Sequence, residues 1–340
     1  MPGPRLAVIE RRTFLSATGT VLLALTRVAE GQQGGKVYRI GMLATRPTPL
    51  ISDTFTTEMQ KRGWMLDRDY LLESRFTEGD YRRAPGLAAE LVNRRVDVLL
   101  TFNTANARVA RDATSTIPIV MVTSGYPVES GLAVSLGRPG GNVTGNSIYA
   151  GGEVFAKHVS LLREVKPSIR RLGVLWDYSP PAFHPRDAET ALRELRKAAD
   201  TLGITLSLQM IQDSSDVDTS LTALTRERVD ALYATSGPVN NGVPQSISLF
   251  LTRHRVPSVT DYGVTLVRDG TVLMSYSANI RALVGRTAYF VDRILRGAKP
   301  ADLPIELPSQ FELIINLKNA KALGLTVPPS LLGRADELIQ

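Results

Sequence analysis

From Val37 onward, short apolar runs alternate with amphipathic stretches along the chain. Apolar runs of roughly four to eight residues are typical of buried strands, and apolar positions three or four residues apart are typical of helices that cover a sheet. Their regular alternation predicts repeated β–α units built around parallel sheets. The predicted fold class is therefore α/β.

The first series of units contains four predicted strands and three predicted helices. Ser52 is the expected N-cap of the first helix and Gly63 its end. Alternation breaks at the turn-rich stretch 137–142 (GRPGGN), which precedes an extended segment over 143–148. The strands are 38–44, 70–76, 96–101 and 117–122, and the helices are 52–63, 82–95 and 105–113.

A second series of units follows a predicted helix over 153–165. Beyond it, a long amphipathic helix is predicted over 280–296 and a late strand over 311–317. Two series separated by a turn-rich segment predict two similar lobes. The second-series strands are 172–176, 205–210, 231–235 and 258–261, the helices between them are 186–202, 216–228 and 244–254, and the stretch 271–275 is extended beyond the series.

The first 31 residues have the order of an export signal. Arg11 and Arg12 form a twin arginine, and the stretch Thr13–Leu25 carries no charge. That stretch is shorter than the ~20 apolar residues of a membrane span. Small residues follow at 29–31, where a signal would be cleaved. We therefore predict a twin-arginine export signal over 1–31 and a periplasmic mature protein; the alternative is a basic N-terminus that happens to carry two arginines.

Composition excludes several classes of chemistry. The chain has no cysteine, which removes disulfides, thiolate metal sites and cysteine nucleophiles. Its three histidines lack the spacing of a zinc site. Losing four arginines and two glutamates with the signal lowers the formal net charge from +7 to +5. Since no block of five or more basic residues occurs, no nucleic-acid partner is predicted.

The local signatures of catalysis are also absent from the sequence. There is no G-x-S-x-G elbow, no Walker loop, no G-x-G-x-x-G after the first strand and no Ser-x-x-Lys. Gly140-Gly141 resembles part of a phosphate-binding loop but lacks the following lysine and helix. We therefore interpret this stretch as a flexible crossing between lobes. Neither an enzyme nor a cofactor or metal is predicted.

Strand ends nominate the candidate site. Ligands of open parallel sheets bind outside the carboxyl ends of the strands. The residues there could hydrogen-bond a small polar molecule and stack on a planar part of it. Their alternatives are structural: serines and threonines as helix caps, tyrosines as loop packing, and the two aspartates as N-caps rather than partners of a ligand ammonium. The candidate ligand-binding residues are Thr45, Asn103, Thr104, Ser124, Gly125, Tyr126, Asp177, Tyr178, Ser236, Asp261 and Tyr262.

Ordered motifs along nine-tenths of the chain give it a family resemblance. They are YRIG at 38–41, AAEL at 88–91, ATSTIPIV at 113–120, RPGGNVTG at 138–145, LMSY at 273–276, ILRGAKPADLP at 294–304, FELIINLK at 311–318 and AKALGL at 320–325. With these motifs the chain resembles the solute-binding proteins of ABC transporters, in the branch typified by tryptophan- and tyrosine-binding members.

The resemblance implies a type I periplasmic binding protein fold, in which two Rossmann-like lobes joined by three crossings close on a ligand. The expected lobes are 37–145 plus 274–306 and 146–273 plus 307–340. The expected function is capture of an amino acid or an aromatic or planar metabolite by a monomer, and its delivery to the membrane permease of an importer. The alternatives are a ligand-sensing partner of a membrane signalling protein and a secreted enzyme.

Three departures from the family pattern fall where the ligand is expected. Tyr126 stands where the family often has the acid of Gly-Asp-Pro, and Asp177-Tyr178 stands in place of an Asn-Pro loop. Phe102-Asn103-Thr104 replaces a Gly-Gly-Thr entry to the third helix. Because Tyr126 and Tyr178 follow strands of opposite lobes, we expect them to close on the two faces of a planar ligand.

Overall fold

The structure is a computed structural model that describes residues 36–149, 152–178, 185–261 and 264–340. The predicted export signal and the candidate ligand residue Tyr262 lie outside these ranges. Two separate sheets are formed between Tyr38 and the C-terminus.

The first sheet has five strands and is parallel throughout. Its inner strands are buried on both faces, as expected of a parallel sheet covered by helices, whereas the edge strand over 70–76 is mostly half-buried. On one face Ile40 and Val98 pack with Phe55, and on the other Leu99 packs with Leu91. The strands are β1 (Tyr38–Ala44), β2 (Tyr70–Phe76), β3 (Val98–Thr101), β4 (Ile119–Ser124) and β5 (Val143–Ser147), and the helices between them are α1 (Pro49–Lys61), α2 (Ala84–Asn93) and α3 (Thr104–Ala113).

The second sheet has seven strands: β6 (Arg171–Asp177), β7 (Thr205–Ile211), β8 (Ala231–Ala234), β9 (Ser258–Thr260), β10 (Met274–Ala278), β11 (Phe311–Asn316) and β12 (Glu337–Ile339). Their order is β12-β11-β10-β9-β8-β6-β7, and only the β10–β11 pair is antiparallel. The remaining helices are α4 (Gly152–Val165), α5 (Pro185–Thr201), α6 (Ser215–Arg226), α7 (Pro238–Gly242), α8 (Pro244–His254), α9 (Val264–Arg268), α10 (Ile280–Leu295), α11 (Leu317–Leu323) and α12 (Pro329–Leu332).

The two sheets repeat one topology. The order β7-β6-β8-β9-β10 in the second sheet matches β2-β1-β3-β4-β5 in the first. Strand order therefore reverses beside β1 and again beside β6, which is where ligands bind in open α/β sheets. The predicted α/β class with two Rossmann-like lobes is confirmed. We call the first sheet with α1–α3 and α10 lobe 1, and the second sheet with the other helices lobe 2.

The late return of the chain to lobe 1 begins five residues after the expected boundary. Helix α10 packs on α1, β4 and β5. Strand β10, which the sequence assigned to lobe 1, pairs instead with β9 and β11 in lobe 2. The chain leaves that sheet only at Asn279, whose side chain caps α10 by accepting the N–H of Ala282. Two residues expected in lobe 2, Asn146 and Ser147, belong to β5 of lobe 1.

Local chemistry accounts for the other differences from the predicted elements. Helix α1 begins at Pro49 rather than after a Ser52 cap, because proline is favoured in the first helical turn. Strand β10 starts three residues later than expected because Thr271 turns back onto the carboxylate of Asp269. Helices α7 and α9 were not predicted, since five residues are too few to show a helical period.

One glycine of the RPGGNVTG motif has a steric explanation. Gly145 lies in β5 with φ of 122°, a conformation that side chains rarely adopt. A Cβ atom there would lie 2.2 Å from the carbonyl oxygen of Met121 in β4. The close approach of β4 and β5 therefore requires glycine at this position.

His158 of α4 is a buried base in the core of lobe 2. Its ring is 1% exposed and packs against Tyr233, with 5.1 Å between the ring centroids. Nε2 lies 2.7 Å from the carbonyl oxygen of Tyr276 and is the donor in the neutral ring. Burial lowers the pKa of His158 to about 4, against a small opposing effect of the hydrogen bond to Tyr276.

This pKa predicts a loss of stability in acid. The unfolded chain takes up the His158 proton near pH ~6.5, and the folded chain only near pH 4, so protonation favours unfolding. We expect His158 to cost ~3 kcal/mol of the free energy of unfolding between pH ~7 and pH ~4. Urea unfolding at several pH values across that range should show the free energy of unfolding falling as the pH falls, and His158→Gln should remove this fall. An unchanged pH dependence in the variant would show that other groups cause it.

Candidate functional site

The topological switch point of lobe 1 holds a cluster of three polar side chains. Thr45 follows β1, Asn103 follows β3, and Tyr81 opens the 3₁₀ turn after β2. The amide Nδ2 of Asn103 lies 3.3 Å from both Thr45 Oγ1 and Tyr81 OH. All three residues are half-buried, so their polar atoms remain within reach of a molecule in the crevice. The sequence predicted Thr45 and Asn103 but missed Tyr81, which does not directly follow a strand.

Asn103 has a strained backbone. Its φ of 65° and ψ of 163° lie in a region that essentially only glycine adopts. The side-chain oxygen caps α3 by accepting the N–H of Asn106 at 2.9 Å, and the backbone N–H donates to Thr123 Oγ1 at 3.3 Å. Asn103 thus replaces the second glycine of the Gly-Gly-Thr pattern at a position whose backbone conformation still favours glycine.

The ends of β4 and the start of α3 are tied together. Thr104 Oγ1 accepts the N–H of Gly125 at 2.9 Å and donates to the carbonyl oxygen of Gly125 at 3.2 Å. A Cβ atom at Gly125 would lie 2.6 Å from the ring of Tyr149, so a larger residue would displace that ring. Ser124 is fully buried, and its Oγ has no hydrogen-bond partner among the described residues.

Tyr126 joins the two lobes. Its ring, 9% exposed, stacks on Tyr149 with 5.2 Å between the centroids and 27° between the planes. Its hydroxyl donates to Glu194 Oε2 of α5 in lobe 2 at 2.9 Å. Burial, followed by the neighbouring Tyr149 hydroxyl and then the charge of Glu194, raises the pKa of Tyr126, so the hydroxyl keeps its proton. Tyr149 in turn donates to Asp261 Oδ2 at 3.4 Å.

This arrangement changes the expected aromatic pair. Tyr149, from the crossing after β5, occupies one face of Tyr126. Tyr178 is half-buried at the edge of the lobe 2 core, and its backbone N–H donates to Ile211. Closure of Tyr126 and Tyr178 on a planar ligand stays a prediction, with one face of Tyr126 already covered.

In lobe 2, the two predicted aspartates bind backbone groups. Oδ2 of Asp177 accepts the N–H groups of Val239 and Asn240 at 2.7 and 2.9 Å, at the start of α7. Oδ1 of Asp261 accepts the N–H of Ser236 at 2.7 Å. Both carboxylates are buried; that of Asp177 caps α7, a helix from another segment, and that of Asp261 binds the N–H of a loop residue, so neither is shown as the N-cap of the helix that follows it.

The negative charge of Asp177 also affects a residue of lobe 1, Tyr81. Burial raises the pKa of the Tyr81 hydroxyl, a hydrogen bond with Thr45 partly opposes the rise, and the negative charge of Asp177 adds to it. Tyr81 therefore remains a neutral hydroxyl that faces an anion of lobe 2. Ser236 of lobe 2 is half-buried, and its hydroxyl accepts a hydrogen bond from Asn241 Nδ2 at 3.3 Å.

Among the described residues, no group of three or more histidines, aspartates and glutamates is arranged to hold a metal ion. Within the same ranges, no helix has the length and apolar character needed to cross a membrane. The site thus consists of hydroxyls, amides, tyrosine rings and capped carboxylates.

Known proteins share this architecture. The model of the ABC transporter substrate binding protein family matches residues 59–339. The chain belongs to that family. A curated relative, the tyrosine-binding protein of Clostridioides difficile, is 24% identical over 278 residues, which cover 80% of this chain and 75% of the relative.

Two solved structures of similar proteins agree with the fold. An ABC domain from Streptococcus pneumonia in complex with L-Trp is 25% identical, with a TM-score of 0.78 over 89% of this chain and 100% of that chain. The ligand-free, open structure of a substrate binding protein with adhesive properties from Clostridium difficile is 22% identical, with a TM-score of 0.70 over 89% and 99%. The resemblance deduced from the sequence is confirmed.

The strain at Asn103 predicts an unusual effect of glycine. Asn103→Gly should raise the free energy of unfolding by ~1 kcal/mol, because relief of strain worth ~1–3 kcal/mol exceeds the loss of the cap and the added chain entropy. The matched control is Asn279→Gly, an N-cap with an ordinary φ of −70°, which should lower it by about 1 kcal/mol. Urea unfolding of both variants measures this. Equal losses would contradict the strain.

The contact between Tyr126 and Glu194 can be measured by a double-mutant cycle. Tyr126→Phe keeps the stack on Tyr149 and removes only the hydroxyl, and Glu194→Ala removes the acceptor. We expect a coupling of about 1–2 kcal/mol in the free energy of unfolding, since a hydrogen bond to a charged group contributes more to stability than one between neutral groups. Additive effects of the two substitutions would show that the lobes are not joined there in solution.

Proposed function

We propose that this protein is the substrate-binding component of an ABC importer, exported by its twin-arginine signal, that captures a small organic solute between its lobes without changing it chemically. The observation that carries the proposal is the presence of polar side chains at the carboxyl edges of both sheets: Thr45, Tyr81 and Asn103 in lobe 1, and Ser236 beside Asp261 in lobe 2. Family membership supports the partnership with a membrane permease.

The chemistry of the edge favours a ligand with a carboxylate. Helix α3 leaves the N–H groups of Thr104 and Ala105 without an intrahelical acceptor, and its dipole adds positive potential at the same end. The hydroxyl and amide donors of Thr45 and Asn103 lie beside them. A carboxylate that enters the crevice would therefore meet donors from both backbone and side chains.

The aromatic side chains support an amino acid or a related planar metabolite. Tyr126 and Tyr149 form a stacked pair at the boundary of the lobes, and Tyr178 lies at the end of β6. The tyrosine-binding relative and the L-Trp complex of a similar protein both concern aromatic amino acids. The carboxylates of Asp177 and Asp261, already bound to backbone N–H groups, give weaker support for a ligand whose recognition depends on an ammonium group.

Capture would follow from contacts with both lobes. A ligand that touches Asn103 in lobe 1 and Ser236 in lobe 2 gains its full binding energy only when the lobes are together, so it shifts the population toward that form. The bond between Tyr126 and Glu194 favours the same form without a ligand. The free energy of that hydrogen bond therefore contributes, with the ligand, to the equilibrium between separated and joined lobes.

The test begins with the native ligand. Mass spectrometry of small molecules released from the denatured protein should identify a carboxylate, and calorimetry should then measure its affinity alongside L-Tyr and L-Trp. Asn103→Gly should weaken binding up to about tenfold, the worth of one hydrogen bond. Thr116→Ala, an exposed change far from the edge, is the control. Absence of any bound or binding carboxylate, or equal affinity in Asn103→Gly, would contradict the proposed site.

A further inference from the structure

Seven basic residues from three separate segments converge at one edge of lobe 2, which we call the basic edge. It is the edge where β6, β8 and β9 begin, opposite to the carboxyl ends that carry the candidate site. The basic residues are Lys166, Arg170, Arg171, Arg226, Arg228, Arg253 and Arg255, and all six arginines are exposed.

Strand register places the three segments side by side. Leu172 of β6 pairs with Ala231 of β8, and Leu232 of β8 pairs with Ser258 of β9. Adjacent strands lie about 4.8 Å apart, so the three segments that precede them share one small surface. A contact of 3.3 Å between Thr225 Oγ1 and His254 Nε2 joins the ends of α6 and α8.

The basic edge has little negative charge of its own. Among the described residues, none of its seven cations forms an ion pair with a carboxylate. The acids of the three segments are Glu227, which contacts Ser207, and Asp230, which accepts the backbone N–H groups of Arg170 and Arg171. Seven cations and two anions leave a formal charge of +5 on the three segments, and Asp200 lies in the neighbouring segment that precedes β7.

The corresponding edge of lobe 1 is different. There, Arg39 and Arg94 both pair with Glu73, at 2.8 and 3.0 Å, and Arg68 pairs with Asp69 at 2.7 Å. Three of the cations at that edge of lobe 1 are therefore paired with carboxylates, whereas none of the seven at the basic edge is paired with one among the described residues.

We propose that the basic edge binds the anionic headgroups of a phospholipid membrane and holds the protein there with the carboxyl edge of lobe 2 facing away. Arginine suits this partner because its planar fork donates two hydrogen bonds to one phosphate. The apolar residues of the segments, Ile169, Val229 and Val256, are buried. Attachment is thus electrostatic and reversible, without insertion into the bilayer.

A nucleic acid fits the basic edge less well. The three segments, 166–171, 225–230 and 252–257, contain no phenylalanine, tyrosine or tryptophan on which a base could stack. The choice of a membrane also rests on the family, whose transporters lie in one. Ligand capture at the opposite edge does not depend on this attachment, so the two proposals can fail separately.

Vesicle sedimentation tests the attachment with residues 32–340, which include both sheets and every described helix. The protein should partition onto phosphatidylcholine vesicles that contain about one third phosphatidylglycerol, and not onto phosphatidylcholine alone. Binding should vanish in ~1 M salt, where the Debye length is ~3 Å. Binding to both vesicles alike, or binding that resists salt, would overturn the proposal whatever the variants do.

Two triple variants with equal charge change locate the surface. Arg228→Gln, Arg253→Gln and Arg255→Gln together should lower the partition coefficient tenfold or more, since each cation near an anionic surface contributes about fivefold. Arg95→Gln, Arg138→Gln and Arg196→Gln together remove the same charge from exposed positions elsewhere and should change it by less than about twofold. An equal fall of the partition coefficient in the two triple variants would overturn the proposal. So would a protein that binds duplex DNA but does not bind the vesicles. Mass spectrometry of the released ligand from both triples checks the fold and the proposed capture independently.

Discussion

The relation between the two sheets depends on backbone pairing between the crossings. The N–H of Ser147, at the end of β5, donates to the carbonyl oxygen of Glu306, and the N–H of Glu306 donates to the carbonyl oxygen of Gly145. The buried amide of Asn146 between them bonds to Leu283 and Thr287 of α10. Two crossings, both of which carry the chain out of lobe 1 into lobe 2, are thereby held together. The hydrogen bond from Tyr126 to Glu194 is a second link between the lobes.

The sheets were predictable because their signal is local. Apolar runs gave the strands of both lobes, and the repeated order of the two sheets follows from right-handed β–α units. The limits of β10 were not predictable in the same way, because Thr271 turns back onto Asp269 through a side-chain contact. The five-residue helix α7 depends on capping by a distant group, since the Asp177 carboxylate that binds its N–H groups lies 62 residues earlier in the chain.

The candidate site was predictable in its position and less so in its contacts. The carboxyl ends of strands place Thr45 near Asn103 in any sheet of this order, and the structure joins them. Tyr126 was expected to face a ligand, yet its ring and hydroxyl are taken by Tyr149 and Glu194, which lie 23 and 68 residues later. Likewise, arginines that look scattered in the sequence meet at one edge, since strand register and not sequence distance decides which charges are neighbours.

The polar residues of the cleft divide into those that hold the backbone and those that remain for a ligand. A buried carboxylate must be compensated, and the N–H groups at Ser236, Val239 and Asn240 compensate Asp261 and Asp177. Asn103 does both tasks at once, since its oxygen caps α3 while its amide nitrogen faces Thr45 and Tyr81. Glycine would fit the backbone there better and would offer a ligand nothing. An asparagine held in a glycine conformation therefore places a specific donor at the edge at a cost in stability, which is the balance expected where binding, rather than folding, determines the residue.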